Sequence, residues 1–261
     1  MHGAPKNLSS NLMPQVAARL LERIRARTPR VHCVTNAVAQ NFTANALLAV
    51  GCIPSMTLDP AEIGSFVAGA DALLVNLGTL DRERREATDI AVKTASSRAL
   101  PWVLDPVFVD RSALRADYAR ALIDFNPSVV RLNGAEFSAL AGVEPSPEAL
   151  AAYARDRKTV VAQSGETDLI ADGARLASVA NGHALMAKVT AMGCATSALV
   201  AACLAVEADA WCAASAALSI AGVAGEMAAA KAQGPGSFAV AIVDALYNLD
   251  APALLAQARV T

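Results

Sequence analysis

From Met13 onward the apolar positions switch repeatedly between helical and strand-like spacing. Met13–Arg27 carries apolar residues three and four apart and ends in a basic turn, which predicts a helix. Short apolar runs follow at Val31–Val34, Cys52–Ser55, Ala72–Leu77, Pro101–Asp105, Ser128–Leu132 and Thr159–Ala162 and predict strands. Between them, Phe42–Val50, Ala61–Ala68, Asp81–Arg98, Ser112–Ile123, Ala135–Leu140 and Pro147–Asp156 predict helices. Asp168–Ala171 and Arg175–Val179, joined by Asp172-Gly173, read as a hairpin. After Cys194 three largely apolar helical stretches run to Leu249. Residues 1–12 are polar and expected to be a flexible segment. No linker or internal repeat divides 13–261, which is expected to be a single domain. This alternation predicts an α/β fold with a mainly parallel sheet, helices on both faces and the hairpin as an antiparallel edge.

Open α/β sheets bind ligands beyond the carboxyl ends of their strands. The rule gathers a set of polar and small residues onto one rim: Asn36, then Met56 and Thr57, then Asn76, Gly78 and Thr79. Asp105 follows, then Asn133 with Glu136, then Ser164-Gly165-Glu166, and last Cys194. The segment Val189-Thr190-Ala191-Met192-Gly193-Cys194 reads as a strand end, a small-residue turn and the mouth of an apolar helix. Helix N-termini expose unpaired N–H groups and attract anions, phosphates above all. A thiol in that field is expected to ionise more readily than a free one. The plain alternative is a buried Cys after an ordinary turn.

Asp105 ends an apolar strand before Pro106 and reads equally as a turn cap. Glu136 stands three residues after Asn133, the spacing of a capping box. Together on one rim the two carboxylates could instead hold Mg²⁺, which takes few protein ligands when phosphates and waters complete its shell. Arg131, near the end of its strand, is either a surface residue or a phosphate partner.

Composition narrows the classes. Hydrophobic residues make up 54% of the 261 and charged residues 18%, enough apolar mass for a sizeable core. A net charge of −2, with no basic stripe interleaved with aromatics, argues against nucleic acid as a partner. The five cysteines (Cys33, Cys52, Cys194, Cys203, Cys212) form no C-x-x-C pair, so neither a disulfide framework nor a zinc site is expected. The N-terminus lacks the apolar core of a signal peptide. The longest uncharged run, residues 210–225, is short for a membrane span of about 20 residues and reads as a buried helix at a subunit contact. A cytoplasmic enzyme with reduced thiols fits these features. The chain contains no P-loop, no G-x-G-x-x-G after the first strand and no G-x-S-x-G elbow. P-loop, Rossmann dehydrogenase and serine-hydrolase chemistries are therefore not indicated.

Nine segments in order carry a family resemblance. They are Val34-Thr35-Asn36 with Asn41–Asn45, Gly51–Met56, Asn76–Thr79, Leu104–Val107, Arg131–Glu136, Asn181-Gly182-His183, Val189–Cys194 and Gly234–Phe238. From about Arg30 to Leu249 the chain resembles hydroxyethylthiazole kinase, of the ribokinase-like superfamily. The resemblance implies a three-layer α/β/α sandwich and ATP-dependent phosphorylation of the hydroxyethyl group of 4-methyl-5-(2-hydroxyethyl)thiazole in thiamine salvage. It implies Mg²⁺ as metal, ATP as donor and a homotrimer with the thiazole site at the subunit interface. By position, Met56, with Asn36, Gly78 and Ala191, would face the thiazole. Arg131, Ser164 and Gly193 would meet the nucleotide, and Asp105 and Glu136 would hold Mg²⁺ or its waters. Cys194 would stand where most ribokinase-like enzymes use an Asp base.

Three residues depart from the family pattern. Ala191 replaces a Gly, and Ala disfavours positive φ. Met192 takes a place usually small, and Phe108 replaces the Gly expected after Asp-Pro-Val. Two further enzymes compete: another small-alcohol or hydroxymethylpyrimidine kinase, and a nicotinamide-hydrate dehydratase, both of which would lean on an Asp where this chain has Cys194. A non-catalytic trimeric binding protein is the reading from another class.

Overall fold

A computed structural model describes residues 12–261; the flexible segment expected over residues 1–12 lies, up to residue 11, outside the described residues. The first helix, α1 (Met13–Arg27), precedes a run of strands and helices in alternation. These are β1 (Arg30–Val34), α2 (Gln40–Ala49), β2 (Ile53–Ser55), α3 (Ile63–Ala68), β3 (Ala72–Asn76), α4 (Arg82–Ser97) and β4 (Trp102–Asp105). Then come α5 (Ala113–Ile123), β5 (Val129–Asn133), α6 (Gly134–Ala141), α7 (Pro147–Arg157), β6 (Val160–Ser164), β7 (Asp168–Ala171) and β8 (Leu176–Val179). Helices α8 (Met192–Leu204), α9 (Ala210–Ala229), α10 (Pro235–Asn248) and α11 (Ala251–Gln257) close the chain.

The eight strands form one sheet in the order β2-β1-β3-β4-β5-β6-β7-β8. Neighbours from β2 to β6 run parallel, and the β6–β7 and β7–β8 pairs are antiparallel. The expected α/β fold with an antiparallel edge is the one observed. Both faces are buried, which is why β3 is apolar at nearly every position rather than alternating. Its side chains still divide by the strand period of two. Ala72 and Leu74 pack into the cluster under α1, α2 and α8–α10, while Leu73 and Val75 pack under α3–α7.

Most element ends moved by one or two residues, and the caps say why. Asp81, Ser112 and Ser146 each turn a side-chain oxygen onto a first-turn N–H and so stand outside the helices they start. Three expectations need correction. A fourth helix, α11, follows Leu249, started by the Asp250 side chain on the Ala253 N–H and by Pro252. No strand precedes Cys194: Ala184–Lys188 is a short 3₁₀ turn, α8 begins at Met192, and Cys194 is its third residue. The helix that holds the uncharged run extends past Glu226 to 20 residues, long and apolar enough by composition to cross a membrane. Most residues of that helix are buried within the fold, against α1, α8 and α10.

Candidate active site

Strand ends and the α8 N-terminus meet at a small polar cluster. Asn36 lies just beyond β1, Asn76 ends β3, Asp105 ends β4, and Cys194 and Ser197 share one face of α8, a turn apart. The Asn36 amide donates to Asn76 Oδ1 at 3.1 Å and to the Cys194 sulfur at 3.4 Å. Asn76 Nδ2 donates to Asp105 Oδ2 at 2.7 Å and to the same sulfur at 3.3 Å. Ser197 donates to Asp105 Oδ2 at 2.8 Å and accepts from Arg131 Nη1 at 3.5 Å. A continuous polar chain therefore runs from Asn36 through Asp105 to Arg131.

The Asp105 side chain does not cap the turn after β4; it joins this polar cluster. Both hydrogen bonds to its carboxylate fall on Oδ2, from side chains on β3 and α8. Burial raises its pKa, against the pull of the Arg131 charge and the Ser197 and Asn76 bonds. Glu136 makes the capping box with Asn133, its Oε2 accepting the Asn133 N–H at 2.9 Å. Its Oε1 accepts the Phe108 N–H at 3.0 Å. Burial raises this carboxyl too; the two backbone bonds oppose the rise, and the Asp105 charge adds to it. Two buried carboxylates, one of them raised by the charge of the other, form a place where a cation is favoured.

Those hard oxygen donors suit Mg²⁺ better than a softer metal. Asp105 Oδ1 takes no hydrogen bond, while each Glu136 oxygen already holds a backbone N–H. Among the described residues no third His, Cys, Asp or Glu joins them in a metal-binding group. The fit is to an ion held by one or two carboxylates, with phosphate and water completing the shell.

The Cys194 thiol behaves opposite to expectation. Burial pushes it up to about 11, the Asp105 charge pushes the same way, and the Asn36 and Asn76 bonds offset only part of the rise. Desolvation beside a carboxylate outweighs the helix end, so the group is a neutral thiol near pH 7.

Beyond Arg131 opens a cleft of about 1030 Å³, lined among others by Arg131, Ser164, Gly193, Asp168 and Asn181. All three residues expected at the nucleotide line this one cavity. Arg131 is half-buried, and its Nε is buried without an acceptor. Gly193 lies against Arg131: a Cβ there would be in ordinary contact, 3.4 Å from Nη1. No side chain caps the first turn of α8, so its N–H groups face the rim unclaimed by a side chain.

The residues that break the family pattern explain themselves locally. Ala191 has φ +68° and Phe108 φ +60°, both left-handed. Each replaces a Gly at a position whose backbone favours Gly, at a cost of about 1 kcal/mol. Phe108 leaves its ring 60% exposed while its N–H serves Glu136. Met192 finds its space in the core, 5% exposed. Gly78 is required by close approach: a Cβ there would sit 2.8 Å from the Asn36 side chain.

Met56 lies apart, beside the open edge strand β2, and does not line the cleft. His32 brackets it, with Nδ1 2.8 Å from Ser55 Oγ and Nε2 3.2 Å from the Thr57 carbonyl. Burial holds His32 down at about 4, so the ring is neutral; Nε2 donates to the carbonyl and Nδ1 accepts from Ser55. Sequence reasoning missed Ser197 and Asp168. Ser197 lies three residues after Cys194, one helical turn, and that spacing was the available signal.

A family model described as "Hydroxyethylthiazole kinase family" matches residues 21–252. A probable hydroxyethylthiazole kinase of Agrobacterium fabrum is 45% identical over 244 residues, with 94% of each chain covered. The solved hydroxyethylthiazole kinase protein of Pyrococcus horikoshii superposes with a TM-score of 0.91 at 36% identity, covering 95% of this chain and 98% of that one. A ribokinase-like superfamily protein of Enterococcus faecalis has a TM-score of 0.70 at 12% identity and covers 97% and 100%, a likeness of fold alone.

Proposed function

The chain belongs to the hydroxyethylthiazole kinase family and is a kinase with a ribokinase-like fold; from that premise we propose that it phosphorylates the hydroxyethyl group of 4-methyl-5-(2-hydroxyethyl)thiazole with ATP, in thiamine salvage. The observation that carries the reading is the shared cleft. Arg131, Ser164 and Gly193 line a space that ends at α8, one residue from the thiol of the polar cluster.

The chemistry follows from what these groups can do. Phosphoryl transfer passes through a loose transition state and depends on positioning and charge neutralisation more than on a strong base. Arg131 pairs with the nucleotide phosphates, and the first-turn amides of α8, at Gly193 and Cys194, meet the transferred group. Cys194, held by two amide donors and neutral, orients the acceptor hydroxyl rather than attacking it. Asp105 accepts from Asn76, which also donates to the thiol, and so fixes the donor that orients Cys194. Asp105 and Glu136 would hold Mg²⁺, which when bound neutralises phosphate charge.

We assign Met56, with Asn36, Gly78 and Ala191, to the thiazole side, and the enzyme to a homotrimer whose subunits meet there. Support comes from the open β2 edge, where Ile53, three residues before Met56, is 50% exposed, and from Leu48 of α2, which is 56% exposed. All five cysteines are free, which supports a reducing, cytoplasmic setting.

One assay decides: coupled ADP release with hydroxyethylthiazole, hydroxymethylpyrimidine and pyridoxal side by side. Turnover of the thiazole alone is expected. Turnover of another alcohol instead would move the enzyme to a sister kinase, and binding without turnover would make it a binding protein.

A further inference from the structure

The far wall of the cleft is held by groups that phosphoryl transfer does not use. Ala180, Asn181 and Gly182 line it, in the irregular segment after β8. Asn181 is buried. Its Nδ2 donates to both Glu226 oxygens at 3.3 and 3.2 Å and to the Gln257 carbonyl at 2.9 Å. The Gly182 N–H donates to Glu226 Oε1 at 2.9 Å.

Glu226, near the end of α9, is met from the other side by Arg259. Arg259 Nη1 and Nη2 lie 3.2 and 2.5 Å from its two oxygens, and Nη2 also donates to the Ala180 carbonyl at 2.7 Å. The Arg259 N–H donates to Asn181 Oδ1 at 2.6 Å, and the Ala180 N–H donates back to the Arg259 carbonyl at 3.0 Å. Burial alone would raise the Glu226 carboxyl, but the Arg259, Gly182 and Asn181 bonds together hold it below the usual range. Gly222 brings α9 onto the same segment, since a Cβ there would lie 2.6 Å from Asn181 Cβ.

We propose that Arg259 is a positioning residue for the nucleotide: through Glu226 and Asn181 it holds the wall formed by Ala180, Asn181 and Gly182, and so sets nucleotide affinity. The inference rests on the cleft being the nucleotide site. Its physical basis is preorganisation. An irregular segment fixed beforehand by charge-assisted bonds does not have to be ordered when the ligand arrives.

The test uses the full chain and ADP as the probe, by calorimetric titration, with steady-state kinetics alongside. Arg259→Ala is expected to weaken ADP binding and raise the KM for ATP roughly three- to tenfold, with kcat and the thiazole KM little changed. Arg259→Lys recovers part of the loss. Glu226→Gln, which keeps an acceptor for the Gly182 N–H, costs less than Glu226→Ala. Arg131→Gln is measured in parallel to separate the two claims. If it weakens ADP binding while Arg259→Ala does not, the positioning role is overturned and the cleft reading stands. If neither variant moves ADP affinity, the cleft is not the nucleotide site and both fall. A uniform fall in kcat and both affinities, with a lower Tm, would reduce Arg259 to a structural residue.

Discussion

Around Cys194 the polar side chains are already paired with one another, while where the cleft meets the α8 N-terminus the Arg131 Nε and the first-turn amides have no side-chain partner. Asn36, Asn76, Asp105 and Ser197 make five side-chain hydrogen bonds with each other and with the thiol, with none of the four exposed. Arg131, facing the cleft, keeps a buried Nε with no acceptor, and the first turn of α8 has no capping side chain. The first region is finished before any ligand arrives; the second needs an anion to complete it. Groups fixed beforehand around the reacting atoms act on the transition state without further reorganisation, whereas groups that meet the phosphates act on nucleotide affinity. Substitutions in the cluster should therefore fall on kcat, and substitutions along the cleft on the nucleotide KM.

The largest break in that comparison is expected from Asp105→Ala. It removes the carboxylate at the centre of the cluster and takes from Asn76 and Ser197 their closest acceptor, at 2.7 and 2.8 Å. A loss of about 10³ in kcat is expected, with a much smaller change in nucleotide Kd. Equal losses in both would show that the cluster is part of the binding surface.

Gly78→Ala tests whether the packing of the cluster matters to it. The added methyl would meet the Asn36 amide at 2.8 Å, inside buried surroundings. We expect about 2 kcal/mol of lost stability in chemical denaturation, and a reduced kcat as Asn36 leaves the thiol. An unchanged midpoint would mean that Asn36 moves freely.

Cys194→Ser should do less, within about tenfold of the parent kcat, because a neutral thiol and a hydroxyl both orient an alcohol. A folded variant that binds substrate but does not turn over would oppose this. The acid–base side can be checked apart from activity. With the thiol at about 11 in the fold and 9.0 when unfolded, alkylation should be slow at pH 7 and rise only in strong alkali. The sign for stability follows: above about pH 9 the unfolded chain loses this proton first, so the folded state loses stability as pH rises toward 11.

The smallest effect is expected at the hinge between the two regions. Ala191 at φ +68° adopts a conformation natural to Gly, so Ala191→Gly should stabilise by up to about 1 kcal/mol in thermal unfolding. A fall in Tm instead would show that the strain is already relieved by the packing of Met192.

Much of the fold was legible along the chain. Six strands and the hairpin announce themselves by short apolar runs; for the strands inside the sheet this is because a sheet covered on both faces has no polar side to hide its pattern, while β2 lies part-exposed at the edge. The rim was legible for the same reason: the end of each run marks where the backbone leaves the core. Helix α11 was missed because seven residues carry too little periodicity to distinguish a helix from a turn. The segment before Cys194 was misread as a strand because Val189 and Thr190 have strand propensity, while their neighbours on both sides form tight turns.

The sequence by itself determined the elements, the family and the small set of residues that could carry the chemistry, since these depend on spacing and residue type. It also flagged Ala191 and Phe108 as replacements for glycine, and both prove to be left-handed. Only the tertiary structure decided what those residues do to one another. Burial of Cys194 beside Asp105 reversed the expected direction of its ionisation, because desolvation depends on what surrounds a group rather than on where it stands in a helix. Glu136 makes the capping box with one oxygen and holds the Phe108 N–H with the other, a second partner that spacing alone did not show. The tie from Arg259 through Glu226 to Asn181 joins residues 33 to 78 positions apart, a distance at which only folding brings charges within reach.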